Sequence, residues 1–400
     1  MMLLKNKMKF KNKYTNELLK VIPGGAHTYS RGADTYPENA PAILSKGKGV
    51  YIFDQNKKKY LDYGMGLRAV NIGYAEKEIN NAAIKSINDG NTLTRPSTIE
   101  LKAAQLLVSL IDDTEMVKFT KNGSTSVTAA VKLARAYTGK KIVLRCFEQP
   151  FFSYDDWFIG STNIKRGIPN ETVSLTKKFH YNDIESLKKQ VKKYKDKIAC
   201  VVLEPSSTEC PRIKKNDSDC CGRSVCNRKF KKEDNFLKQV EQVCKENNIV
   251  FILDEMITGF RWHLKGAQHF YGVTPDISTF GKAMANGFSV SCISGKKKIM
   301  ELGSITKKNE ERVFLLSTTH GAEMGGLAAF IETVKFLKNK NVINHNWKYG
   351  EKLCYEGNKL AKKYNIQDFF KFGGIACSPY FVTLNEKKEN SLEFRTLFIK

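Results

Sequence analysis

From about residue 98 to 295, short apolar runs alternate with helical stretches, and this alternation constrains the fold more than any other feature of the chain. The runs Met116–Phe119, Ile142–Cys146, Ile198–Leu203, Ile249–Leu253 and Ser289–Ser294 are separated by amphipathic stretches at 98–110, 124–138, 184–194 and 233–247. A strand that returns parallel to its neighbour needs a crossover, and a helix laid over the face is the crossover that also buries the sheet. The expected architecture is an α/β fold with a parallel sheet between helices.

Around this block the pattern differs. Residues 15–22 read as a short amphipathic helix ending at Pro23-Gly24-Gly25, followed by a polar loop over 26–37. Ala42–Leu44, Val50–Phe53 and Tyr60–Tyr63 read as a small antiparallel meander. Beyond about 324, helical runs at 325–338 and 347–364 lead to a strand at Tyr380–Thr383, a smaller α+β region. The expected organisation is a basic extension over 1–14, an N-terminal segment of a small domain over 15–75, a large domain over 76–325 with a Cys-rich insert at about 206–232, and the C-terminal part of the small domain over 326–400. The run Arg395–Lys400 stops inside a helical pattern with no cap, which reads as an incomplete C-terminal element.

Charge and cysteine usage narrow the function classes. Lys and Arg number 66 against 41 Asp and Glu, a formal charge of +25. The basic residues are dispersed and nowhere interleave with aromatics, which reads as a solvated surface and no nucleic-acid partner. No window approaches the roughly 18 apolar residues of a membrane span, and Met1–Leu4 is too short for a leader core, so a cytoplasmic protein is expected. Ten cysteines without a leader read as reduced thiols. The segment Cys210 through Cys220-Cys221 to Cys226 is the one rival for metal chemistry. It lacks paired C-x-x-C spacing and a nearby His, so no metal is expected.

Three stretches carry chemistry. Ile249–Met256 delivers Asp254 where a strand ends, and in open α/β sheets ligands gather at the carboxyl ends of strands. Pro275–Gly287 seats Lys282 between Gly281 and small residues, which permits close approach of a flat cofactor, while burial depresses the amine pKa toward nucleophilicity. Gly123-Ser124-Thr125 opens a helix after the strand at 116–119, an anion cradle of amides and hydroxyls. Each alone has an ordinary reading: a capping carboxylate, a surface Lys, a plain Ser/Thr cap. Together they supply partners for the pyridine nitrogen, aldehyde and phosphate of pyridoxal phosphate.

Leu253-Asp254-Glu255-Met256-Ile257-Thr258-Gly259-Phe260-Arg261 and Gly266-Ala267-Gln268 through Phe280-Gly281-Lys282 resemble, in residue type and spacing, the class III pyridoxal-phosphate aminotransferases. The resemblance spans about 17–400 and is greatest to the glutamate-1-semialdehyde aminomutase branch, including enzymes of cell-surface carbohydrate pathways. It implies a fold-type I enzyme with a mostly parallel seven-stranded sheet and a smaller domain built from both termini. It implies that Lys282 forms the internal aldimine and then, as a free amine, shuttles a proton, and that Asp254 keeps the ring nitrogen protonated. Gly123, Ser124 and Thr125 fall at the family's phosphate loop, in an altered pattern. Phe151 falls where the family stacks an aromatic, with Phe152 in place of the customary His. Met256 matches the opposite ring face, Glu204 the strand-end Glu-Pro, and Thr319 the threonine that reaches the neighbouring subunit's phosphate, which implies a homodimer with shared sites.

For substrate, Thr28 and Arg31 match the aminomutase segment that binds a carboxylate. Arg68 has no counterpart there, and reads either as a charge for a sugar acid or phosphate or as a surface residue. The reading that follows is an aminotransferase taking an amino group from an amino acid donor to a carbonyl acceptor, a sugar or sugar acid for surface polysaccharide. The alternative is an aminomutase yielding 5-aminolevulinate. A basic scaffold would leave Lys282, Asp254 and Gly123–Thr125 unexplained.

Overall fold

The computed structural model describes residues 11–37, 39–206, 208–212, 225–226, 235–306 and 310–399. Most of the basic extension and of the Cys-rich insert, Cys220 and Cys221 included, lies outside these residues.

The strands are β1 (Leu44–Lys48), β2 (Tyr51–Asp54), β3 (Lys59–Leu61), β4 (Met116–Thr120), β5 (Ile142–Cys146), β6 (Thr176–Phe179), β7 (Ile198–Leu203), β8 (Val225–Cys226), β9 (Val250–Asp254), β10 (Ile277–Phe280), β11 (Ser291–Gly295), β12 (Phe370–Ile375) and β13 (Ser378–Thr383). Seven form the central sheet in the order β4-β11-β10-β9-β7-β5-β6. The pairs from β10 through β9, β7 and β5 to β6 are all parallel, while β11 runs antiparallel to both β10 and β4. This is the mostly parallel seven-stranded α/β architecture expected from the alternation and the resemblance. Every residue of β5, β7 and β9 is buried, which is why these strands read as continuous apolar runs rather than alternating ones.

Helices cover both faces. On one, Leu237, Val240 and Val243 of the helix Phe236–Glu246 pack with Val201, Phe251 and Leu253. On the other, Val127, Ala130, Val131 and Ala134 of the helix Gly123–Thr138 pack with Val143, Val202 and Ile252. That second helix starts at Asn122, whose side chain accepts the Thr125 amide, and ends at Gly139 in the left-handed conformation, φ 68°. The meander is present as the sheet β1-β2-β3, and β13-β12-β8 forms a third sheet against the helix Val342–Lys363.

Two strands of the central sheet were not foreseen. β6, Thr-Lys-Lys-Phe, lies at the sheet's edge, where its two central lysines stay partly exposed. β10, Ile-Ser-Thr-Phe, is polar at its centre because Ser278 Oγ donates to Gln268 Oε1 and Thr279 Oγ1 to Asp254 Oδ1. Neither offers an uninterrupted apolar run.

Candidate active site

The carboxyl ends of β7, β9 and β10 are adjacent, and they carry Glu204, Asp254 and Lys282 respectively. The parallel register that pairs Thr279 with Asp254 sets the lysine-bearing turn just past the aspartate.

Asp254 is buried, and its Oδ1 accepts from the Met256 amide (2.9 Å) and Thr279 Oγ1 (3.2 Å), while Oδ2 takes neither bond. Burial pushes its carboxyl up to about 6, against the lowering effect of the Lys282 charge and these two bonds. Glu204 is buried with one oxygen, Oε2, lacking any hydrogen-bond partner among the described residues. Burial and then repulsion by Asp254 raise it to about 8, with Lys282 and Arg68 pulling the other way. The Lys282 amine is lowered by burial, with the two carboxylates opposing. Lys282 has φ 45°, and Asn286, closing the same turn, has φ 44°. This backbone is sparsely populated for a Lys and marks a seat defined by its surroundings.

Close packing surrounds the lysine-bearing turn. A Cβ on Gly123 would come within 2.8 Å of Met256 Sδ, and one on Gly281 within 2.6 Å of the same sulfur and 2.5 Å of Ser291 Oγ. Met256 therefore seats between two glycines, one opening the helix Gly123–Thr138 and one preceding Lys282. At that helix start the first-turn amides have no intrahelical acceptor, and the hydroxyls of Ser124 and Thr125 gather beside them. The Ser124 hydroxyl accepts the Tyr154 amide at 3.2 Å, and Thr125 Oγ1 lies 3.4 Å from the Tyr154 hydroxyl. Phe151, on the same loop, is half-exposed and packs edge-on against Phe158 at 5.9 Å.

The structure thus brings together Lys282, Asp254, Glu204, Met256, Gly123, Ser124 and Thr125, with Phe151 on the loop that Ser124 ties down. Arg68 joins them through its charge, felt at both Glu204 and Lys282. Thr28, Arg31 and Thr319 are not drawn into the cluster by any hydrogen bond. Thr28 is half-buried and Arg31 and Thr319 are exposed. Among the described residues no group of His, Cys, Asp and Glu has the arrangement of a metal site.

Sequence reasoning missed three residues. The Gln149 amide donates to the Glu204 carbonyl (2.9 Å) and accepts the Glu204 amide (2.8 Å), stapling the Phe151 loop to the end of β7. Asn286 accepts the amides of Asn71 and Ile72 and donates to the Gly73 carbonyl, all at 3.0 Å. Arg261, quoted only as part of a motif, is a fully buried guanidinium bonded to the segment 68–71. Buried amide and guanidinium groups that serve backbone have no periodicity to announce them.

These residues fit pyridoxal phosphate: an amine beside a buried carboxylate, a helix N-terminus for the phosphate, and a methionine packed so closely on Gly123 and Gly281 that no Cβ fits at either. The profile of the family described as aminotransferase class-III matches residues 33–219 and 229–390. The 3-aminobutyryl-CoA aminotransferase of Cloacimonas acidaminovorans is 30% identical over 91% of this chain and 81% of its own. The glutamate-1-semialdehyde 2,1-aminomutase of Francisella philomiragia is 30% identical over 93% of this chain and 82% of its own. Among solved structures, the FumI protein of Sphingopyxis sp. MTA144 in its PLP internal aldimine form superimposes with a TM-score of 0.79 over 93% of this chain and 83% of its own, at 24% identity, a likeness of fold.

Proposed function

The chain belongs to the class III aminotransferases, which depend on pyridoxal phosphate, and from that premise we propose that it moves an amino group from an amino acid donor to the carbonyl of a sugar or sugar acid destined for surface polysaccharide. The observation that carries the catalytic part is the juxtaposition of a burial-lowered Lys282 amine with two buried carboxylates at adjacent strand ends. When bound, the cofactor supplies an electron sink for the substrate carbon.

The chain's own residues do the rest. Lys282 Nζ is the amine that would hold the cofactor's aldehyde and, as a free base, would carry a proton to and from the substrate carbon. Burial lowers its pKa, the direction that favours the free base a proton carrier needs. Asp254, clamped through Oδ1, would have its remaining oxygen for the ring nitrogen, and a cation there would bring its carboxyl back down from about 6. Ser124, Thr125 and the helix start would hold the phosphate, and Phe151 and Met256 would pack on the ring. Thr28 and Arg31 bind a substrate carboxylate. The enzyme works as a cytoplasmic homodimer in which Thr319 of one protomer completes the phosphate site of its partner. Its exposure, apart from the cluster, and exposed apolar residues such as Tyr29 and Phe314 support that assembly. No helix among the described residues is long and apolar enough to cross a membrane.

The similarity to aminomutases over 93% of the chain keeps a second reading in play, transfer within one glutamate-1-semialdehyde molecule. Absorption spectra of the cofactor-loaded protein, wild type beside Lys282→Ala, decide between them. A visible band that Lys282→Ala alters and that L-glutamate bleaches supports transamination. A band that glutamate leaves untouched favours the mutase, and the absence of any band refutes both.

A further inference from the structure

Met65, Gly66, Leu67 and Arg68 have φ of 49°, 57°, 59° and 67°. Four successive left-handed residues make a turn in which only Gly66 escapes the Cβ penalty, and such backbone persists only where its surroundings over-determine it. Here they do so from three sides. The Asp62 carboxylate accepts the amides of Gly64 (2.8 Å) and Gly66 (3.3 Å) and the Tyr74 hydroxyl. Arg261 donates from Nη2 to the Arg68 carbonyl (2.6 Å) and from Nη1 to Asn71 Oδ1 (2.9 Å). Asn286, four residues past Lys282, ties 71–73 to the lysine-bearing turn itself.

Arg261 is 1% exposed and all its hydrogen-bond partners are carbonyl, amide or thioether groups, with no carboxylate among the described residues. A guanidinium desolvated without a counter-charge is costly, and here it is spent on holding backbone. What that backbone carries is Arg68. The Arg68 side chain makes no hydrogen bond or ion pair among the described residues, yet its charge is felt at Glu204, Lys282 and Arg261. Its guanidinium is a fork of donors in a shape that matches carboxylate and phosphate oxygens, and it stands on the segment that Asn286 ties to the lysine-bearing turn.

We propose that the turn Met65–Arg68 is an anion subsite, in which Arg68 binds an anionic group of the substrate remote from its reacting carbon and Arg261 is the positioning residue that holds Arg68 there. The substrate class is then a carbonyl compound bearing a carboxylate or a phosphoryl group. The inference rests on the aminotransferase reading for the identity of the reacting centre.

The test is calorimetric titration of the cofactor-loaded protein with succinate and, separately, with inorganic phosphate, for wild type, Arg68→Gln, Arg68→Lys and Arg261→Lys. At least one probe binds wild type, Arg68→Gln weakens it tenfold or more, and Arg68→Lys recovers part of the loss. Arg261→Lys keeps the charge but loses the fork, and weakens the same probe while the visible cofactor band persists, which a purely structural role would not produce. Binding of succinate alone identifies a carboxylate, and of phosphate alone a phosphoryl group. If neither probe binds wild type, or Arg68→Gln binds as tightly as wild type, the subsite is overturned. Arg68→Gln decides the matter should Arg261→Lys not fold. The band on the same samples reports the aminotransferase reading separately: its absence sinks that reading, while the titration still decides the subsite.

Discussion

Glu204 stores a measurable cost. Burial and the neighbouring Asp254 raise its carboxyl from 4.5 to about 8, so between those values the folded protein holds a proton that the unfolded chain has released. Stability must therefore fall as pH rises through that window, by up to about 1.4 kcal/mol per pH unit, and the contribution is flat below 4.5 and above 8. Glu255, raised to about 7, and Asp254, raised to about 6, act with the same sign. Thermal melts of the cofactor-free protein from pH 5 to 8 should decline, and Glu204→Gln should flatten the decline; parallel curves would place the proton elsewhere. Asp254→Asn, which cannot stabilise a ring cation, should lower kcat by about a thousandfold or more, comparable to the loss of other buried electrostatic partners. A wild-type rate would remove Asp254 from the chemistry. At this scale Asp254 was visible because an apolar run delivers it at a strand end, and Lys282 because Gly281 and small residues flank it, whereas Glu204 was visible only through the resemblance. Gln149 and Asn286 stayed invisible because their work is done on backbone from far away in the chain.

Between elements, glycines mark where surfaces meet. Gly281 abuts Met256 Sδ and Ser291 Oγ, so Gly281→Ala must displace the methionine from its seat. The expected result is at least a tenfold weaker cofactor Kd by absorbance titration, and an unchanged Kd would mean that Met256 does not support the ring. Gly350, in the helix Val342–Lys363, lies against the Ala376 carbonyl in the turn between β12 and β13. Backbone cannot yield as a side chain can, so Gly350→Ala should destabilise by about 1–3 kcal/mol, read as a lower Tm. The alternation of apolar runs and helices made the central sheet legible, yet β6 and β10 were not. An edge strand needs no apolar face toward solvent, and a strand lined by buried hydrogen bonds has no hydrophobic period.

For the whole molecule, the shared-site proposal makes a prediction that no single chain can satisfy. Lys282→Ala and Thr319→Glu should each inactivate their own homodimers. Co-expressed, they should form mixed dimers in which one site pairs an intact Lys282 with an intact Thr319. Activity above that of either parent, in a dimer isolated by size exclusion, is the expected outcome; no complementation would place both residues in one protomer's site. The proposal of such an assembly rests on resemblance, because exposed apolar side chains such as Ile305 and Tyr63 look the same in sequence whether covered or not.

The sheet order also has a consequence for how the protein is made. β4, the first strand of the sheet to leave the ribosome, ends at Thr120, and β11, its only neighbour among the described residues, ends at Gly295, 175 residues later. At about 5–20 residues per second, β4 waits roughly 10–35 s with both edges open. Through that interval the nascent chain offers a template for pairing with other nascent chains, and its yield in the cell becomes a contest between elongation and chaperone capture.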